Sequence, residues 1–229
     1  MRLDRLLCQH PMWNRRHALT LLAQGKVLAD GKVERDGSID ISQFVRVEVD
    51  GELIQEGQKA LYIMMHKPVG ILSATSDPVH KTVMDLLPAE LASQLHIAGR
   101  LDRASSGLML LTNDGQWSRR MTDPDLKKPK TYLVTTDNPI DPDTARLFAE
   151  GIYFPYEDIT TSPAELEQLN SHLVRLTIYE GRYHQIKRMF GRFRNPVVGL
   201  HRESMGGIRL DDRLVEGGYR ELSEIEIRG

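Results

Sequence analysis

Apolar positions in the first 50 residues fall at helical and then at strand spacing. Leu3, Leu6 and Leu7 share one helical face, and Ala18, Leu19, Leu21 and Leu22 mark a second helix that stops at Gly25. Residues 26–29 and 32–33 flank Asp30-Gly31, a dipeptide that favours a two-residue hairpin turn. Residues 44–49 alternate as a further strand before Asp50-Gly51, and 52–59, polar with Gly57, predict a linker. Residues 1–57 therefore form a small α/β module, and 58–229 a second, larger domain.

In that larger domain the pattern changes to continuous apolar runs. Residues 61–65 and 108–111 predict strands covered on both faces, ending in the turns His66-Lys67-Pro68-Val69-Gly70 and Asn113-Asp114-Gly115. Further strands are expected at 131–135, 173–179 and, as a pair, 197–202 with 206–210. Short helices are expected from 80 to 87, where Pro88 interrupts, at 116–121, 142–150, 186–190 and the end of 219–227. Residues 152–170 predict a peripheral loop with one strand. Ile186, Met189 and Phe190 stand at i, i+3 and i+4 and form a core face, which leaves Lys187 and Arg188 on other faces. Strands and helices do not alternate as βαβ units. The expected class is α+β, with a mixed, mostly antiparallel sheet flanked by helices and loops.

Composition narrows the setting. With 229 residues, 40% hydrophobic and 27% charged, the chain matches an ordinary soluble globular protein. No apolar run nears the roughly 18 residues of a membrane span and no signal-peptide core is present, so a cytoplasmic protein is expected. The single cysteine, Cys8, excludes an intramolecular disulfide and a cysteine-rich zinc site, and is expected in a helix core. Net charge is −2, but residues 2–35 carry seven Lys/Arg against three Asp/Glu, and 182–209 seven against one. From Asp137 to Glu167 acids dominate and Arg146 is the only base. Basic segments with acid placed elsewhere suit one face for a polyanion.

Asp102 draws the chemistry. It lies between Arg100 and Arg103 on a loop ahead of the 108–111 strand, a polar residue positioned by core. Pairing with either arginine, or accepting backbone N–H groups, is the alternative role. Lys67-Pro68-Val69-Gly70, Gly99-Arg100-Leu101-Asp102 with 106–112, Lys130-Thr131-Tyr132 and Gly181-Arg182-Tyr183-His184-Gln185-Ile186-Lys187 occur in that order. Together they resemble the RNA pseudouridine synthases, and in order and spacing the Rsu-type bacterial branch acting on 16S ribosomal RNA. Residues 1–57, with Arg2-Leu3-Asp4 and the stretch from Gly25 to Val33, resemble the S4 RNA-binding domain.

The resemblance implies an isomerase that breaks N1–C1′ of uridine, turns the uracil and joins C5 to C1′, with no cofactor and no metal. Asp102 would be catalytic, either attacking C1′ or taking the 2′ proton. Lys187 would pair with it, Tyr132 would lie against the uracil, Ile186 would line its pocket, and Arg100 would fill the space left by a flipped nucleotide. Lys67 would be mainly structural. RNA phosphates would meet Arg2, Arg5, Arg15, Arg16, Lys26 and Lys32, and the later basic segments add Lys130, Arg182 and Arg188. The expected partner is 16S rRNA, free or in a pre-ribosomal particle, bound by a monomer away from membranes. Rivals are a synthase for large-subunit rRNA, an N-glycosidase releasing free uracil, and a non-enzymatic S4-type binder.

Overall fold

The structure is a computed structural model that describes residues 1–228. The chain divides into two compact units, Met1–Ala60 and Leu61–Gly229. Among the described residues no helix is long and apolar enough to cross a membrane.

In the first unit α1 (Leu3–Leu7) and α2 (Arg15–Ala23) pack on a four-stranded antiparallel sheet. The sheet holds β1 (Val27–Ala29), β2 (Lys32–Val33), β3 (Val47–Val49) and β4 (Glu52–Gln55), in the order β2-β1-β3-β4. Asn14 starts α2 by accepting a hydrogen bond from the His17 backbone N–H at 2.9 Å. Leu3, Leu6, Leu7, Ala18, Leu21, Leu22, Val27, Val47 and Val49 form its core. The β1–β2 turn is Asp30-Gly31 with φ of 49° and 74°, the two positive values that match a hairpin's twist.

Three expectations for this unit need correction. Residues 52–55 are not linker but β4, paired with β3 around Asp50-Gly51. The strand eluded the pattern because it lies at a sheet edge, with two exposed and two half-buried residues. Leu19 is 49% exposed, one position off the buried face that Ala18 and Leu22 share. Cys8 is exposed as well, because the five-residue α1 has ended before it and Leu3, Leu6 and Leu7 fill the buried face.

The second unit is built on a sheet whose principal path is β11-β12-β8-β13-β7-β5-β15. In chain order its elements are β5 (Tyr62–Lys67), α3 (Ala89–Ala92), β6 (His96–Ile97), β7 (Ser106–Thr112) and α4 (Gly115–Thr122). Next come β8 (Lys130–Thr136), α5 (Thr144–Glu150), β9 (Tyr153–Phe154), β10 (Ile159–Thr160), β11 (Glu165–Gln168) and β12 (Leu173–Ile178). The chain ends with α6 (Gln185–Gly191), β13 (Val197–Met205), β14 (Ile208–Arg209), β15 (Tyr219–Glu221) and α7 (Glu224–Arg228). All named strand pairs are antiparallel except β7 with β13.

Every residue of β7 is buried, because core covers both faces of the sheet there. Leu108 and Leu110 join Met64, Trp117, Met121 and Met205 on one side. Met109 and Leu111 join Met65, Val134, Leu176, Phe148 and Phe190 on the other. Each such side chain contributes about 1.5–3 kcal/mol by leaving water, so β7 is the firmest base the fold offers a neighbouring loop.

Local boundaries differ from expectation for physical reasons. β5 runs on through His66 and Lys67, which were expected in a turn. Residues 80–87 form only one 3-10 turn, Met84–Leu86; the α-helix follows Pro88, which suits a helix start and not its interior. Asn113-Asp114-Gly115 is a helix start rather than a plain turn. The Asp114 carboxylate accepts from the backbone N–H groups of Gln116 and Trp117 at 2.9 and 3.0 Å. The 152–170 region holds three short strands, β9, β10 and β11, instead of one.

Gly107 marks the point where β7 and β13 approach most closely. Its φ is +106°, and a Cβ there would lie 2.3 Å from the Arg202 carbonyl oxygen and 2.5 Å from the Arg202 nitrogen. Gly107→Ala should therefore destabilise the second unit by about 3 kcal/mol or more, lowering Tm by roughly 6–12 °C. Calorimetry checks it; an unchanged Tm would mean that the strands can separate without cost.

Candidate active site

Asp102 sits on the loop between β6 and β7, and that loop is braced from several directions. Arg202 on β13 donates from Nε to Leu108 O at 2.8 Å, from Nη2 to Gly99 O at 3.0 Å and from Nη1 to Arg100 O at 3.3 Å. Ser73 donates to Leu101 O at 2.6 Å and accepts from Leu101 N–H at 3.1 Å. The Ser105 N–H donates to Asp102 O at 3.0 Å. Buried Lys67 holds the loop's end, donating to Ser105 O at 2.8 Å and Pro68 O at 2.9 Å. Arg103 turns away and donates to Gly70 O at 3.0 Å.

The Asp102 side chain, about a third exposed, faces the start of α6. Lys187 Nζ and His184 Nε2 each lie 3.4 Å from Asp102 Oδ2. Among the described residues no ion pair joins Asp102 to Arg100 or Arg103, so the alternative sequence role for this acid is not the one observed. Contacts of this length are loose for charged hydrogen bonds, as catalytic contacts often are before a substrate tightens them.

A pocket of about 420 Å³ opens at this point. Arg100, Asp102, Lys130, Tyr132, Arg182, His184, Ile186, Lys187 and Arg202 line it together with Ile178, Leu200 and Met205. Tyr132 reaches it from β8, opposite Arg202 of β13 and Leu176 of β12. Ile186 is buried on the inner face of α6 with Met189 and Phe190, so the helix that buries three apolar residues also aims Lys187 at Asp102. The lining combines apolar side chains with several cations and the single carboxylate of Asp102.

Comparisons with known proteins show the family to which the chain belongs. The family model described as RNA pseudouridylate synthase matches residues 61–191, which include Asp102, Tyr132 and Lys187. The chain belongs to the RNA pseudouridylate synthase family. It is 52% identical over 227 residues to a Pseudomonas aeruginosa protein named ribosomal small subunit pseudouridine synthase A, covering 99% of each chain. Proteins of that name from Yersinia pestis and Escherichia coli are each 44% identical, covering 99% of this chain and 97% and 98% of theirs. A crystal structure titled pseudouridylate synthase matches with a TM-score of 0.73 and 41% identity, covering 100% of this chain and 98% of that one. The chain is thus an enzyme of this family, and its mixed, mainly antiparallel sheet is the family's.

Asp102, Lys187, Tyr132, Ile186, Arg100, Lys130 and Arg182 all line this one pocket, whereas Arg188 does not. Arg188 makes two hydrogen bonds to Glu157, at 2.7 and 2.5 Å, and its guanidinium lies 3.8 Å over the Phe154 ring. Its charge is paired within the protein. Lys130 is likewise not a surface cation: it is buried, and Nζ donates to Lys128 O at 3.0 Å. Burial pushes its pKa down, the Arg202 charge adds to that, and Glu180 opposes it.

His184 and Arg202 were within reach of the sequence but were not singled out. His184 stands inside the Gly-Arg-Tyr-His-Gln stretch, where only contact with Asp102 distinguishes it. Arg202 lies within the half-buried strand β13 and gives no local sign that it is buried to 1% exposure. Gln185 has a holding role: it accepts from Arg182 N–H at 3.0 Å and donates to Glu180 at 2.7 Å, fixing the entry to α6.

In the first unit Arg2 pairs with Asp4 and Lys26 with Asp50, each at 2.7 Å. Arg5, Arg15, Arg16 and Lys32 are exposed and, among the described residues, carry no ion pair.

Burial lowers the Lys67 pKa from 10.5 to about 8, although the negative charge of Asp102 works against the shift. The folded protein thus favours neutral Lys67, and the unfolded chain keeps the proton up to about pH 10.5. Between those values the unfolded state binds more protons, so stability rises with pH. Relative to Lys67→Met, wild type should gain on the order of 3 kcal/mol between pH 7 and 10.5, measured by urea unfolding. A difference independent of pH would show that Lys67 stays charged in the fold.

Proposed function

We propose that this synthase isomerises a uridine of small-subunit 16S ribosomal RNA to pseudouridine, with Asp102 as its catalytic residue. The observation that carries the reading is Asp102 Oδ2, held on a braced loop at the lip of the pocket, 3.4 Å from Lys187 Nζ. The choice of RNA is supported by the relatives named for the ribosomal small subunit, alike over nearly the whole chain.

A uridine swung out of its stack enters the pocket with its uracil between Tyr132 and Ile186 and its sugar toward Asp102. Arg100, exposed at the rim, occupies the space it leaves. The Asp102 carboxylate either attacks C1′ or takes the 2′ proton, and the N1–C1′ bond breaks. The uracil turns and C5 bonds to C1′. The proton leaves C5 and N1 gains one, so no atom is added to the nucleoside overall and no cofactor enters. Lys187 keeps a cation beside the acid and opposes the cost of holding a negative charge near apolar walls. The first unit serves as an S4-like anchor through Arg5, Arg15, Arg16 and Lys32, and the enzyme works as a monomer in the cytoplasm.

Two outcomes test this. Asp102→Asn keeps the loop's shape but removes both nucleophile and base, so tritium release from RNA labelled at uracil C5 should fall by about 10⁴-fold while RNA binding persists. Turnover near the wild-type rate would remove Asp102 from the chemistry, and free uracil among wild-type products would indicate a glycosidase. For the anchor, the Arg15→Gln/Arg16→Gln double variant should lower the slope of log affinity against log salt by roughly 1.5, since each phosphate contact contributes about 0.7–0.9. An unaltered slope would place the RNA elsewhere.

A further inference from the structure

Tyr183 and His184 precede α6, and the proposed reaction gives neither a task. Tyr183 is 77% exposed. Its ring is stacked on the His184 imidazole, with centroids 3.9 Å apart and 21° between the planes. His184 in turn places Nε2 3.4 Å from Asp102 Oδ2 and lines the pocket. Its backbone is held at φ 49°, in the left-handed region, where histidine is enriched but residues other than glycine remain uncommon. Strain of this sort persists only where surrounding contacts fix it, and it gathers at ligand sites. Here those contacts are the Gln185 bonds to Arg182 and Glu180.

Three other tyrosines of the second unit are tied down by their hydroxyls: Tyr62 to Asp114, Tyr153 to Asp158 and Tyr179 to Glu165. Tyr183 is held by its face instead. The imidazole covers one side of the ring, and solvent meets the rest of a largely exposed side chain. A flat aromatic surface, fixed in angle and next to a nucleotide pocket, matches what an unpaired nucleobase needs from a protein, since every base has a π-face.

We infer that the Tyr183–His184 stack is a platform for the base that adjoins the target uridine, which lies on Tyr183 as a third layer. The inference rests on the proposed uridine chemistry and adds a specificity element to it. When the uridine leaves its helix, its neighbour loses a stacking partner, and the platform replaces that partner at the pocket rim. The enzyme therefore favours sites whose adjoining base is already unpaired. Because His184 also faces Asp102, an occupied platform and a filled pocket are joined through one imidazole.

The test uses the full-length enzyme and a 16S rRNA fragment containing the uridine mapped as its target. Tritium release by wild type reports on the proposed function itself; without it both readings fall. With turnover established, Tyr183→Ala should raise the Kd for the fragment roughly 5- to 150-fold, the value of one stacked base, while Tyr183→Phe retains wild-type affinity. Tyr156→Ala, at a tyrosine 96% exposed and without a ring partner, should leave Kd as it was. Fragments with an abasic riboside at each position near the target locate the stacked base. At that position the Tyr183→Ala penalty should vanish, because the two losses are one interaction. The platform is overturned if the Tyr183→Ala penalty persists with every abasic fragment. It is equally overturned if Kd is unchanged and only the single-turnover rate at saturating RNA falls, which would make Tyr183 a prop for His184.

Discussion

A guanidinium that has no carboxylate partner among the described residues holds the loop that carries Asp102. Arg202 is 1% exposed, and its donors end on the carbonyls of Gly99, Arg100 and Leu108. Burying a cation is costly unless hydrogen bonds offset it, and bonds to a charged donor are about twice as strong as neutral ones. Three carbonyls on two segments are thereby tied to one rigid fork, which a lysine could not reproduce. The segment bearing Asp102 is fixed to β13, and β13 is fixed to β7 at the one parallel contact in the sheet. Gly107 permits that contact by having no side chain where Arg202 passes.

The same guanidinium sets the electrostatics around the pocket. Lys67 and Lys130 are also buried, and the Arg202 charge helps push the pKa of each down. Asp102 opposes the shift at Lys67, and Glu180 opposes it at Lys130. Two acids thus stand against three concealed cations. Positive charge at the pocket also comes from exposed Arg100 and Arg182 and half-buried Lys187, which line it. That is why a chain with net charge −2 can still present a cationic pocket.

Much of this was legible in the sequence, and the losses are instructive. The apolar runs located β5 and β7, the 3.6-residue spacing located α6, and the order of four short stretches pointed to the family before any geometry was known. Lys187 and Asp102 are 85 positions apart and yet meet, as the resemblance implied. What pattern could not convey was which cations are occupied. Arg188 follows Lys187 directly, in an equally basic context, but only the fold brings Glu157 and Phe154 against it. Cys8 and β4 were misjudged for a related reason: burial at an element's end or at a sheet edge is set by neighbours distant in sequence, and local periodicity is silent about them.

The mixed lining of the pocket suits the proposed isomerisation, in which the leaving group is also the nucleophile. Asp102, Lys187 and His184 meet in the lining of the pocket. Ile178, Ile186, Leu200 and Met205 add to the lining side chains that carry no hydrogen-bonding group. A uracil freed from C1′ must rotate before C5 can bond, and strong contacts to its polar edges would oppose each step of that rotation. In the proposed reaction such apolar groups and a tyrosine face would confine the base without fixing its orientation, leaving it free to turn within reach of the sugar. The rigid braces and the apolar lining are then complementary: the sugar and the acid would stay fixed while only the base moves.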